Sequence, residues 1–186
     1  MYIKGDASIT NCSFDHIGGN AIYLNGGHVN VYDCNFTNGN QAIILYGDEN
    51  VGPYYSFMNI YNSNFINLRS GEYAGAIRNS GQLLLVNCSF INNSASIQQN
   101  NTHGGAIYVG SPVSDCKINA EFINNSAYQG GAIFFNGTTD NCVTLELTAD
   151  ESATLPKGSY SIELKITKND LNKVLVHKQS APLIIE

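Results

Sequence analysis

The sequence predicts an all-β chain: a right-handed parallel β-helix over residues 1–141, followed over 142–186 by a small β-module, partial and Ig-like. Three observations predict this. Two short blocks alternate along the chain, five copies of each. Length variation between copies is confined to inserts. The composition then changes near residue 141, where the blocks stop and alternating strands begin.

The first block is Asn11-Cys12-Ser13-Phe14, repeated as Asp33-Cys34-Asn35-Phe36, Asn62-Ser63-Asn64-Phe65, Asn87-Cys88-Ser89-Phe90 and Asn119-Ala120-Glu121-Phe122. The second is Asn20-Ala21-Ile22-Tyr23, repeated as Gln41-Ala42-Ile43-Ile44, Gly75-Ala76-Ile77-Arg78, Gly105-Ala106-Ile107-Tyr108 and Gly131-Ala132-Ile133-Phe134. The phenylalanines are 22, 29, 25 and 32 residues apart. Irregular spacing with preserved order is the mark of a solenoid whose coils carry lateral loops.

Each column has a physical reading. Five residues before the Phe stand Ile9, Val31, Ile60 and Leu85, with Lys117 breaking the column in the last copy. Asn (once Asp) stands at −3 and a small residue at −2. Apolar positions at −5, −2 and 0 do not alternate strictly, so the inside–outside parity slips at the Asn. A sharp bend between two short strands produces such a slip, and Asn tolerates the left-handed backbone that a bend needs. Stacked Asn amides can also hydrogen-bond from coil to coil. The Gly-Ala-Ile block supplies another strand, with Gly where the chain turns tightly. Strands this short leave no room for crossover helices, so coils stack in parallel with a rise of about 4.8 Å. The inserts are residues 46–56, 69–72, 94–103 and 110–115.

Beyond residue 141 the chain has one of its 18 glycines and five of its seven lysines. Strands are expected at 143–148, 159–168, 173–177 and 182–185, with turn chemistry at Pro156-Lys157-Gly158 and Asn169-Asp170. About 45 residues is thin for a complete sandwich.

The formal net charge is −6 with nine Lys plus Arg. A nucleic-acid partner calls for a basic stripe that displaces counterions from phosphates, and none is present; the same deficit argues against anionic lipid. No apolar run reaches the roughly 18 residues of a membrane span, so no membrane insertion is expected of this segment. The start, MYIKGDASIT, carries no signal-peptide pattern and enters the first repeat at once, which reads as a piece of a longer protein.

The runs Asn87-Cys88-Ser89-Phe90-Ile91-Asn92-Asn93-Ser94-Ala95 and Gly104-Gly105-Ala106-Ile107-Tyr108 recur as Phe122-Ile123-Asn124-Asn125-Ser126-Ala127 and Gly130-Gly131-Ala132-Ile133-Phe134. They resemble the repeats of polymorphic outer-membrane proteins and of adhesin-like β-helix proteins from methanogenic archaea. The similarity spans residues 7–137. It implies a pectate-lyase-like right-handed solenoid, cell-surface or extracellular location, and adhesion to glycan or protein partners without catalysis or cofactor. The C-terminal Leu155-Pro156-Lys157-Gly158-Ser159-Tyr160 resembles small β-domains of adhesins and of phage tail or baseplate proteins. A host-contact component of a phage particle is therefore an alternative.

Candidate sites follow from residue chemistry. Cys12, Cys34 and Cys88 share a repeat position. They read as stacked small apolar residues, since no Cys-x-x-Cys spacing supports zinc. Cys116 and Cys142 fall off that ladder and find no place in it. His16, His28, His103 and His177 occupy unrelated positions. The carbohydrate-active alternative needs paired carboxylates, or an Arg or Lys base beside calcium-binding acids. The acids before residue 141 (Asp6, Asp15, Asp33, Asp48, Glu49, Glu72, Asp115, Glu121 and Asp140) share no column. Arg69, Glu72, Arg78 and His103 are the one group that could converge across adjacent coils. Sequons occur at Asn11, Asn35, Asn87, Asn92, Asn100, Asn124 and Asn136. Tyr54 and Tyr55, after Gly52-Pro53, are the first choice for a contact surface, because exposed tyrosines stack on sugars and anchor interfaces.

Overall fold

A computed structural model describes residues 1–47, 55–96, 102–110 and 115–136, together with the backbone of five later strands: Cys142–Leu145, Ser159–Tyr160, Leu164–Lys168, Lys173–His177 and Leu183–Ile184. Every named element is a strand, and no helix among the described residues is long and apolar enough to cross a membrane.

Two parallel sheets form the coils. The short sheet stacks Tyr2–Ile3, Ile22–Leu24, Ile43–Leu45, Ile77–Asn79, Ile107–Val109 and Ile133–Phe135 in register. All but the first belong to the Gly-Ala-Ile blocks. In each three-residue strand the outer two side chains face the core and the middle one faces outward. Ile22, Leu24, Ile43, Leu45, Ile77 and Ile107 are fully buried or nearly so. Gly75 and Gly105 are there for close approach rather than for positive φ. A Cβ on Gly75 would collide with the Gly105 carbonyl oxygen, and one on Gly105 with the Gly131 carbonyl oxygen.

The long sheet begins each coil with Ala7–Thr10, Gly27–Tyr32 and Ser56–Tyr61, bends at the Asn, and continues as Ser13–Ile17, Asn35–Asn40 and Asn64–Ser70. In the next two coils Gln82–Ile91 and Asp115–Ile123 run through the corner as single strands. The bend residues Asn11, Asp33, Asn62 and Asn87 have φ of 53°, 53°, 48° and 53°. Their amides hydrogen-bond along the axis: Asn62 Nδ2 donates to Asp33 Oδ1 at 3.1 Å, and Asn87 Nδ2 to Asn62 Oδ1 at 3.0 Å. Inside the corner the Phe ladder is continuous. Phe14, Phe36, Phe65, Phe90 and Phe122 stack with centroids 4.6–5.1 Å apart and planes within 10°.

One column differs from the sequence expectation. Lys117 does not occupy the apolar position of the last coil: Ile118 pairs with Leu85 and is buried, while Lys117 pairs with Leu84 and is exposed. The register shifts between Leu85 and Cys88, after which Ala120 and Phe122 rejoin the small-residue and Phe columns. One residue fewer at the corner keeps the apolar parity, and Asn119 accordingly lacks the positive φ of its counterparts.

The parallel ladder continues past residue 141, since Cys142–Leu145 pairs in parallel with Asp115–Ile118. Farther on, Ser159–Tyr160 pairs antiparallel with Leu183–Ile184, and Leu164–Lys168 with Lys173–His177. Among the described residues these two antiparallel pairs do not make up the two packed sheets of an Ig-like fold. The predicted turns at 156–158 and 169–170 lie outside the described residues.

Candidate functional site

The predicted cysteine ladder is a bend device. Cys12 Sγ meets the Thr10 carbonyl at 3.3 Å, Cys34 Sγ the Tyr32 carbonyl at 3.1 Å and Cys88 Sγ the Val86 carbonyl at 3.5 Å. Ser63 makes the same contact to Tyr61 at 2.8 Å, and its hydroxyl accepts the Cys34 N–H. Each side chain thus ties the carbonyl two residues back across the corner. Burial pushes the Cys34 thiol up and the Cys88 thiol up to about 11, so neither is a ready thiolate. None of Cys12, Cys34 or Cys88 is in a disulfide. Cys116 is buried opposite Leu83 in the core column, and the backbone of Cys142 pairs with Asp115. No His, Cys, Asp and Glu group suited to a metal ion occurs among the described residues.

The four residues singled out for convergence separate into two pairs. Arg69 sits at the end of the long sheet, beside Asn40 and Ser94, and is exposed. Glu72 is exposed too, its N–H donating to Ser70 Oγ, and it makes no ion pair with Arg69 or Arg78. Arg78 and His103, by contrast, meet on one ring. The Arg78 Cζ lies 4.8 Å from the Tyr73 centroid, and the His103 ring stacks on Tyr73 at 5.9 Å and 13°.

Strand parity explains how they meet. The middle residues of the short strands form an outward column: Tyr2, Tyr23, Ile44, Arg78, Tyr108, Phe134. Beside its later half runs a small parallel ladder, Tyr73 to His103 to Gln129. Gln41 holds the first of these by donating from Nε2 to the Tyr73 and Ala74 carbonyls at 2.6 and 2.9 Å. Tyr108 packs against Tyr73 at 4.8 Å and Phe134 at 5.9 Å, and its hydroxyl accepts from Asn136 Nδ2 at 2.8 Å. These rings bury Tyr108 and Phe134 although both point away from the main core. The earlier half of the column stays open. Tyr2, Tyr23 and Tyr46 stack at 5.6 and 6.4 Å, and Tyr46 is 43% exposed. Sequence reasoning missed Tyr23, Tyr46, Tyr73, Tyr108 and Phe134. For Tyr23, Tyr108 and Phe134 the signal was present: each follows the Ile of its block.

The predicted contact pair is half visible. Tyr54 lies outside the described residues, as do Asp48, Glu49, Asp140 and Asn100. Tyr55 packs down on the coil: a Cβ on Gly26 would lie 2.7 Å from the Tyr55 ring, and the Tyr55 carbonyl accepts the Gly27 N–H at 2.9 Å. On the opposite outward face, His28 with Phe57 and Tyr32 with Tyr61 form ring pairs on either side of the Asn30–Asn59 amide pair. Among the described residues the acids do not cluster. Asp15 is held down to about 2 by hydrogen bonds from Thr37, Asn38 and His16, with His16 Nδ1 lying 2.7 Å from its Oδ2. Asp33 belongs to the corner ladder, and Glu121 pairs with Ser89 in another column.

Stacked parallel coils, repeated corners and continuous ladders are matched by a family comparison: residues 1–171 fit the model described as right handed beta helix region. The chain belongs to this family. The β-helix match extends beyond the compositional shift at residue 141, in keeping with the parallel pairing of Cys142–Leu145. No curated protein and no solved structure matches the chain. Family membership carries the architecture and assigns no chemistry, because sites are grafted onto such folds rather than implied by them.

Proposed function

We propose that this chain is an adhesin-like binding and structural protein of a cell surface or extracellular space, one that contacts a glycan or protein partner without catalysis. The supporting observation is the outward column of the short sheet, where aromatic rings, Ile44 and a guanidinium line up along the axis with no carboxylate among the described residues paired to them. Rings and a forked cation suit recognition, whereas glycoside hydrolysis needs two carboxylates about 5–10 Å apart. The resemblance to adhesin-like repeats supports the surface location. The antiparallel pairs after residue 158 support a small β-module there.

A carbohydrate-active enzyme is the second reading, favoured by the meeting of Arg78 and His103 on Tyr73. A panel of immobilised polysaccharides and surface proteins separates the two readings when retention and chain cleavage are scored independently. Retention without cleavage is expected. Cleavage that disappears in Arg78→Ala and His103→Ala would replace the binding role with an enzymatic one.

A further inference from the structure

We propose that Cys12 and Cys34 are a modification site, a thiol pair that a small-molecule disulfide converts into a reversible cross-link between the first two coils. The cross-link goes beyond the binding role above and does not depend on it.

Register brings the two thiols together. The Asn11 N–H donates to the Tyr32 carbonyl and the Asn35 N–H to the Cys12 carbonyl, both at 2.9 Å, which sets Cys12 opposite Cys34. Directly after them Ser13 pairs with Asn35 and Phe14 with Phe36. One coil rise of about 4.8 Å separates such partners, inside the roughly 4.4–6.8 Å between Cα atoms of bridged cysteines. The Cys34 sulfur already leans into the first coil. It accepts the Cys12 N–H at 3.4 Å and lies 3.8 Å from the Ile9 carbonyl. Cys12 Sγ rests on the Thr10 carbonyl at 3.3 Å, and it gives up that one contact when the bridge closes. No other pair of described cysteines stands in register on adjacent coils. Cys34 and Cys88 have Ser63 between them, two rises apart. Cys116 pairs with Leu83, and Cys142 pairs with Asp115, one position out of register with Cys116.

Access decides the order of the chemistry. Cys12 is partly exposed, whereas Cys34 is fully buried and burial pushes its thiol up. The Cys12 thiolate, its proton released to water, attacks one sulfur of a disulfide R–S–S–R. A mixed Cys12–S–S–R bond forms, and the departing RS⁻ takes up a proton and leaves as RSH. Cys34 then loses its proton, attacks Cys12 Sγ and expels the second RS⁻, which also leaves as RSH. Two protein thiols are oxidised, and one small disulfide is reduced to two thiols. Cβ atoms stacked at the coil rise lie just outside the usual spacing of about 3.5–4.5 Å. The bridge therefore closes with slight strain and reopens to excess thiol. While closed, it fixes the bend of the first coil on the second.

The test incubates the reduced, folded full chain with oxidised glutathione at mildly alkaline pH, alkylates the remaining thiols and maps peptides without reductant. Cys12 should be found linked to Cys34, with two more equivalents of reduced glutathione released than from Cys12→Ser. In Cys34→Ser, Cys12 should stop at its mixed disulfide with glutathione. Serine is tolerated at this position, since Ser63 fills it in the next coil. Cys88→Ser should leave the linkage unchanged, and excess dithiothreitol should reopen it. Amide exchange over Ala7–Ile17 should slow by roughly tenfold in the oxidised chain. Circular dichroism identical to the parent chain shows that each variant is folded. A parent chain that keeps Cys12 as a glutathione mixed disulfide, links Cys12 to another cysteine, or leaves both thiols free would overturn the assignment.

Discussion

The corner of the solenoid and the outward column of its short sheet are built on the same coil rise, yet they use it in opposite ways. At the corner, successive coils present the same residue types, Phe on Phe, Asn on Asn or Asp, and Cys or Ser at the small position. Along the outward column no two of Tyr23, Ile44 and Arg78 are alike. Identical neighbours satisfy one another, ring face to ring face and amide donor to amide acceptor. Unlike neighbours leave groups over, as Arg78 is left over. Self-complementary columns build the rod, and the column that breaks the pattern is where a partner can be read.

The comparison can be broken first at the corner. Phe65 is fully buried between Phe36 and Phe90, so Phe65→Ala should cost about 3–5 kcal/mol in chemical denaturation. Phe14→Ala, at a less buried rung, should cost clearly less, and equal losses would mean the ladder is not cooperative. Asn62 comes next. With φ of 48° and amide bonds to both neighbouring coils, Asn62→Val should lose about 1–3 kcal/mol, while Asn62→Gly stays within about 1 kcal/mol of the parent. A smaller effect belongs to Cys88. Ser63 already serves in the same role, so Cys88→Ser should stay within about 1 kcal/mol at neutral pH.

Cys88 also makes a prediction about alkaline stability. Its thiol is pushed from an ordinary 9.0 up to about 11 by burial, so the unfolded chain releases this proton first. The stability it contributes is complete below pH 9 and is lost as pH rises toward about 11. Stability curves across that range should fall less steeply for Cys88→Ser than for the parent. The smallest effect is expected in the outward column: Arg78→Ala should change stability by no more than about 1 kcal/mol, since it removes one partly exposed cation–π contact. A loss as large as that of Phe65→Ala would make Arg78 architectural and erase the distinction between the two regions.

Much of the corner was readable because each of its positions depends on its own repeat. Phe in every copy, Asn at −3 and a small residue at −2 state the bend and the stack without any knowledge of neighbours. Of the candidate site, the strand parity after each Ile was readable, but the approach of Tyr73 and His103 was not. Those residues reach the column from stretches of unequal length between blocks, and no periodicity records where such a stretch returns. Asn93 shows the same limit. It is completely buried, donating to the Phe65 carbonyl and accepting the Leu68 N–H, a bond set that the run Asn92-Asn93-Ser94 does not announce.

By itself, then, the sequence determined the stacked parallel coils, the left-handed Asn corners and the Phe ladder, because repetition turns each local preference into a column. Tertiary structure alone decided which residue continues a column when a copy is short. Ile118 rather than Lys117 fills the core position, because burying an ammonium costs far more than moving one corner residue. Packing also decided that Arg78 and His103 share Tyr73 while Arg69 and Glu72 stay apart from them. Those positions depend on where each loop comes to rest against its neighbour, and that is a property of coils in contact.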